Sequence, residues 1–186
     1  MVLVRDKIKL EEQAAKHKIL EKDPALHGLK IAVFEIPAFY RDFRSASLGK
    51  NDFRSTTRDV RDILLELRDQ NIDGVVIDLR NNGGGSLTEA TELTGLFIEE
   101  GPVVQIKDYN GSIESEVDPD PQMVYKGPLA VMINRNSASA SEIFAGAIQD
   151  YGRGVLIGEP SFGKGTVQQL IDLDNYISSG TDMGRL

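Results

Sequence analysis

Residues 74–86, GVVIDLRNNGGGS, decide how the chain is read. Gly74 to Leu79 are too continuously apolar to alternate, which marks a strand covered on both faces. Arg80 to Gly85 follow as a glycine-rich turn, and Ser86 stands three residues before Glu89, the capping box that opens a helix. That helix is predicted to run to about Glu99 with Leu93, Leu96 and Phe97 facing inward. Upstream, Ser55 or Thr56 caps a helix on which Val60, Ile63, Leu64 and Leu67 recur at steps of three and four, ended by Asn71 and Gly74. Before that helix, LKIAVFEI (residues 29–36) has the length of a strand and stops at Pro37, whose missing N–H suits a strand end.

Downstream the pattern repeats. PVVQI (102–106) is a strand, and residues 108–122 are a polar, Asp-rich excursion in which Asp118 and Asp120 are either ion ligands or parts of a solvated loop. LAVMIN (129–134) is a buried strand, SASASE (137–142) leads into a helix buried through Ile143, Phe144, Ala147 and Ile148, and Gly152 ends it. GVLIG (154–158) is a strand, residues 159–165 a loop, and TVQQLIDL (166–173) a further predicted strand. Residues 1–28 are charged and weakly patterned, with Val2 to Arg5 as possible strand and Leu10 to Leu20 loosely helical, and read as a connector. Short apolar strands alternating with helices predict an α/β domain with a largely parallel sheet. In such sheets sites gather where strands end, and three loops qualify: 80–86, 135–142 and 159–165.

Composition narrows the function classes. With 186 residues, 40% of them hydrophobic, the chain buries one substantial core. A net charge of -8 argues against a nucleic-acid partner, which needs clustered Lys and Arg. The absence of cysteine removes thiol nucleophiles, Cys-type zinc sites and disulfides, and leaves the redox compartment open. No apolar run approaches the roughly 20 residues of a membrane span, and MVLVRDK lacks the form of a signal peptide.

The serine-rich loop sets hydroxyls at a helix N-terminus, where orphan N–H groups and the dipole favour developing negative charge. Serine is also a favoured N-cap, so the loop alone does not choose between the two roles. A nucleophilic serine needs a base, and His17 and His27 both lie in the connector, as a solvated helical residue and a surface residue respectively. Lys164, between Gly163 and Gly165, is the remaining candidate. A lysine of ordinary pKa, about 10.4, is a poor base at neutral pH, so burial or a cationic neighbour must bring it to roughly 7–8. The same lysine closes Gly158-Glu159-Pro160-Ser161-Phe162-Gly163-Lys164, the first seven positions of a phosphate-binding loop. Gly165 stands where that motif requires Ser or Thr, and the following residues are β-like rather than helical. The glycines 83–85 read either as a turn needing positive φ or as oxyanion donors.

IDLRNNGGGSLTEA, NRNSASASEIFAGAIQDYGRG and GEPSFGKGTVQQ resemble, in order and spacing, the three segments that mark the C-terminal processing peptidases, also called tail-specific proteases, over roughly residues 29–186. The resemblance implies a crotonase-like β-β-α spiral core and a serine endopeptidase that works through an acyl-enzyme and a Ser–Lys dyad without a cofactor or metal. It makes Ser139 the nucleophile, Lys164 the base and Gln168 a residue that orients the lysine. Ser137 and Ser141 revert to loop and capping roles. Ala140 N–H and an N–H of the glycine turn, Gly85 or Gly84, become oxyanion donors. Asp150 corresponds to an aspartate given a charge-relay role, although it lies about 16 Å along the helix from Ser139; its other reading is a helix-end residue. Glu142 reads as a first-turn carboxylate favoured by the dipole.

The resemblance further implies polypeptide substrates with apolar C-termini, an adaptor that presents them, and a periplasmic or otherwise extracytoplasmic location. LVRDKIKLEE resembles the strand that leaves a substrate-binding PDZ domain. Residues 1–28 are therefore expected to connect to such a domain, absent here, and 29–186 to form a peptidase core that stops before its last strands. Other expectations are a catalytically impaired association module and, more remotely, nucleotide binding through residues 158–165.

Overall fold

The computed structural model describes residues 14–50, 52–120 and 122–168. Five strands form one sheet in the order β1-β2-β3-β6-β7, and β4 and β5 form a separate hairpin. The sheet elements are β1 (Lys16–Leu20), β2 (Ile31–Glu35), β3 (Gly74–Asp78), β6 (Leu129–Ile133) and β7 (Val155–Gly158). β2, β3, β6 and β7 run parallel, and β1 pairs antiparallel with β2 from Lys16 opposite Glu35 to Leu20 opposite Ile31. The domain is thus α/β with a largely parallel sheet, as the alternation of strands and helices predicts.

Parallel neighbours need crossovers, and helices supply them. α1 (Phe43–Ser47) and α2 (Thr56–Leu67) join β2 to β3. α3 (Leu87–Gly95) with the hairpin β4 (Pro102–Lys107) and β5 (Ile113–Val117) joins β3 to β6, and α4 (Ala140–Asp150) joins β6 to β7. The apolar stripe of α2 buries Val60, Leu64 and Leu67. Phe34, Ile77, Leu79, Leu93, Phe97, Phe144 and Ile148 fill the core, where Phe97 and Phe144 meet edge-on at 5.8 Å.

Several expectations change. Lys16 to Leu20 form a strand, not part of a helix, because pairing with β2 covers the sheet edge; His17 therefore lies on a strand. Residues 113–117 are a strand as well, paired antiparallel with β4, in which Ile113, Ser115 and Val117 share one face. α3 ends at Gly95, four residues before the predicted end. No strand is formed by 166–168; the rest of TVQQLIDL, the Val2 to Arg5 segment and residues 10–13 lie outside the described residues.

Only half of the capping box at Ser86 forms. Ser86 Oγ accepts from the Glu89 N–H, but the fully buried Glu89 carboxylate turns to Arg41 Nη1 at 2.7 Å and the Thr57 N–H at 2.8 Å. Burial pushes the Glu89 carboxyl above its ordinary pKa, and the bonds from Thr57 and Arg41 oppose that rise. Arg41 also reaches Glu92 Oε2 at 2.9 Å. The pair braces residues 39–41 against the site, since Phe39 N–H donates to Gly84 O and Phe39 O accepts from Ser86 N–H. Removing one member of a buried pair leaves an uncompensated charge, so Arg41→Ala is expected to lose about 3–5 kcal/mol in chemical denaturation. An unchanged midpoint would contradict that role for the pair.

Candidate active site

β3, β6 and β7 are adjacent and parallel, so the loops that leave their C-terminal ends meet at one edge of the sheet. These are the glycine turn, the serine loop and the lysine loop. All three loops singled out in the sequence converge, because strand order made neighbours of segments far apart in the chain.

Asn82 joins the first two loops. Fully buried, it donates from Nδ2 to Ile36 O at 2.8 Å, and its Oδ1 accepts the Gly84 N–H at 2.8 Å. Its carbonyl accepts the Ala138 N–H and the Ser141 hydroxyl, both at 3.0 Å. The Ser137 hydroxyl donates to Leu79 O at 2.8 Å. Ser137 and Ser141 are buried with their hydroxyls on backbone carbonyls; Ser137 has the expected loop role, whereas Ser141 lies within α4 and ties it to the glycine turn instead of capping it.

Ser139 differs from both. It is half-buried at the N-terminus of α4, with φ 55° and ψ −116°, a conformation that costs a non-glycine residue about 1–3 kcal/mol. Strain of this kind persists only where surrounding contacts impose it, and Gly84 lies close against Ala138 O, Ser139 Cβ and Ala140 N. Gly84 spends its N–H on Asn82, whereas the N–H groups of Gly85 and Ala140 donate to nothing among the described residues. Of the two glycines left open by the sequence, Gly85 has the free donor.

Lys164 is exposed, so the burial expected of a lysine base is not found among the described residues, and its Nζ donates to Gln168 Oε1 at 3.2 Å. Ser139 and Lys164 together line two cavities. The smaller, about 220 Å³, also has Gly85, Ala140, Ile143 and Gln168 in its wall. The larger, about 550 Å³, is walled by Val103, Val104, Ile143 and Gly146 and reaches Asp150 and Tyr151 at its far end. The Asp150 side chain makes no hydrogen bond or ion pair among the described residues; it shares the larger cavity with Ser139 and Lys164 without touching either through a polar contact.

Glu142, read from the sequence as a first-turn carboxylate, also binds the lysine loop, which the sequence did not indicate. Its Oε2 accepts the Ser139 N–H at 2.8 Å and the Lys164 N–H at 2.9 Å; Oε1 accepts the Ser161 hydroxyl at 2.7 Å and the Gly163 N–H at 2.6 Å. Burial alone would raise its pKa, but the bonds from Ser161, Gly163, Ser139 and Lys164 outweigh it and hold the carboxyl below its ordinary value. The only signal in the sequence was its place three residues after Ser139. The same contacts count against a phosphate loop: the N–H groups of Gly163 and Lys164 are taken, and no helix follows through Gln168.

No group of three or more His, Cys, Asp or Glu residues able to hold a metal ion occurs among the described residues, and Asp120 is paired with Arg61 at 2.8 Å. No helix among them is long and apolar enough to cross a membrane.

The sequence model of peptidase family S41 matches residues 30–183. The chain is 50% identical over 177 residues to a tail-specific protease of Haemophilus influenzae, spanning 95% of this chain and 23% of that protein. It is 39% identical over 118 residues to a carboxyl-terminal-processing protease of a Synechocystis strain, covering 63% of this chain and 27% of the relative. Among solved structures, a photosystem II D1 C-terminal processing protease superposes with a TM-score of 0.67 at 29% identity, over 87% of this chain and 40% of that one. The chain therefore spans about a quarter of the length of these two curated relatives.

Proposed function

The chain belongs to peptidase family S41, and on that premise we propose that it carries the catalytic centre of a serine endopeptidase that cleaves polypeptides near their C-termini. The observation that carries this reading is that Ser139 and Lys164 line the same two cavities, in the smaller of them beside two N–H groups with no hydrogen-bond partner among the described residues.

Ser139 Oγ attacks the scissile carbonyl carbon while its proton passes to neutral Lys164 Nζ. The oxyanion is received by the N–H groups of Gly85 and Ala140, with the N-terminus of α4 behind them. As the C–N bond breaks, the Lys164 ammonium returns the proton to the leaving amine, and an acyl-Ser139 ester remains. Water then attacks the ester carbonyl, giving a proton to Lys164. The ester C–O bond breaks, and Ser139 Oγ takes that proton back.

Gln168, bonded to Nζ, orients the lysine. Asp150, at the remote end of the larger cavity, serves the helix end and the cavity wall rather than the proton relay. The apolar wall of Val103, Val104 and Ile143 supports substrates with apolar residues near the cut. Residues 29–186 constitute the peptidase core, 1–28 connect it to a substrate-binding domain, an adaptor presents substrates, and the setting is extracytoplasmic.

A fluorophosphonate probe tests the assignment. A single adduct mapped by mass spectrometry to Ser139, and lost in Ser139→Ala together with cleavage of a denatured tail peptide, is the expected result. Cleavage that survives in Ser139→Ala would refute it.

A further inference from the structure

We infer that Glu142 is a positioning residue of the dyad, holding the lysine loop in register with Ser139 through one carboxylate. The inference rests on the Ser139–Lys164 reading above and adds a third residue to it.

One oxygen, Oε2, receives the backbone N–H of both Ser139 and Lys164, so the main chains that carry nucleophile and base meet at a single atom. The other oxygen secures the loop just before the lysine, through Ser161 and Gly163. Capping α4 would need only the first of these four bonds; the other three reach a segment 19 to 22 residues further along the chain. Gly163 adopts φ 90°, which turns its own N–H and the next one toward the same carboxylate.

Otherwise the loop is tied down lightly. Phe162 N–H donates to Ser137 O at 3.0 Å, and Glu159 N–H to Ile133 O at 3.2 Å. Lys164 itself is exposed, with Gln168 Oε1 as its one side-chain hydrogen-bond partner among the described residues. What places the Lys164 backbone beside Ser139 is therefore the loop, and the densest set of bonds holding that loop is the one to Glu142. Glutamine has nearly the same shape but one acceptor oxygen, and its NH2 group would face N–H donors across the site. Misplacement by about 1 Å costs around a hundredfold in rate.

The test is a double-mutant cycle of Glu142→Gln and Lys164→Ala in the full-length protein, read by the fluorophosphonate labelling rate of Ser139, with kcat and KM on a tail peptide for the single variants. Glu142→Gln is expected to slow labelling and kcat about 100-fold, with KM within about twofold, and to slow labelling no further once Lys164 is alanine. An unchanged rate in the single variant, or the same factor in both backgrounds, overturns the inference. Wild-type activity in Lys164→Ala would instead sink the dyad reading on which it rests. Should Glu142→Gln fail to fold, Ser161→Ala removes one donor only; it is expected to speed hydrogen exchange at Gly163 and Lys164 and to lower kcat several-fold. If neither quantity moves, the inference is wrong.

Discussion

Lys164→Ala is expected to leave the fold and its melting temperature unchanged while kcat for peptide-bond hydrolysis falls on the order of 10^4-fold or more. The side chain is exposed and its hydrogen bond to Gln168 is a surface contact, so removing it opens no cavity and strands no buried group. Its loss therefore appears in rate and not in stability. Lys164→Arg separates the role of base from that of cation. Arginine keeps the charge but does not give up its proton in proteins, so it cannot accept one from Ser139. Both variants are expected to be comparably inactive. Arginine retaining more than roughly a tenth of the wild-type rate would mean that charge, not proton transfer, is what the position supplies, and the mechanism above would fall.

Gly84→Ala has the second large effect. Gly84 sits at φ 102°, where L side chains are rarely found, and an added Cβ would stand 2.8 Å from both Ala138 O and Ser139 Cβ and 3.1 Å from Ala140 N. None of these is the end of a flexible side chain. They are the backbone of the serine loop and the root of the nucleophile, so the loop itself must move. A loss of about 100-fold or more in kcat/KM is expected from the displacement, with about 1–3 kcal/mol of destabilisation from the unfavourable φ. The neighbouring position provides the control: a Cβ at Gly83 meets nothing within 4 Å and no positive φ is required there. Gly83→Ala is expected to behave like the wild type. Equal losses at both positions would show that the turn needs general flexibility and not a close approach at Gly84.

Much of this was legible in the residues because the signals are local. Continuous apolar runs mark β2, β3 and β6, and apolar residues at steps of three and four mark α2 and α4, to within a few residues, since burial is written into consecutive side chains. Lys16 to Leu20 failed because a charged edge strand carries little apolar pattern; its conformation comes from the hydrogen bonds of β2. Ile113 to Val117 did carry a two-residue alternation, hidden inside a stretch dominated by acidic and turn residues. Glu89 failed for another reason: its spacing from Ser86 is that of a capping box, but Arg41 and Thr57, distant in sequence, offered a buried charge a stronger pair of partners than one backbone N–H.

The sequence by itself determined the alternation of strands and helices, the three loops at strand ends, the want of a usable histidine, and the family whose three segments the chain repeats. Each is a property of neighbouring residues or of their spacing. Only the tertiary structure decided that Gly84 spends its N–H on Asn82 while Gly85 donates to nothing among the described residues, that Asp150 lies at the far end of a cavity, and that one oxygen of Glu142 holds the backbones of Ser139 and Lys164. Those outcomes depend on which strands become neighbours. A hydrogen bond is allotted among every donor and acceptor the fold brings within 3 Å or so, and β3, β6 and β7 meet only once the sheet has formed.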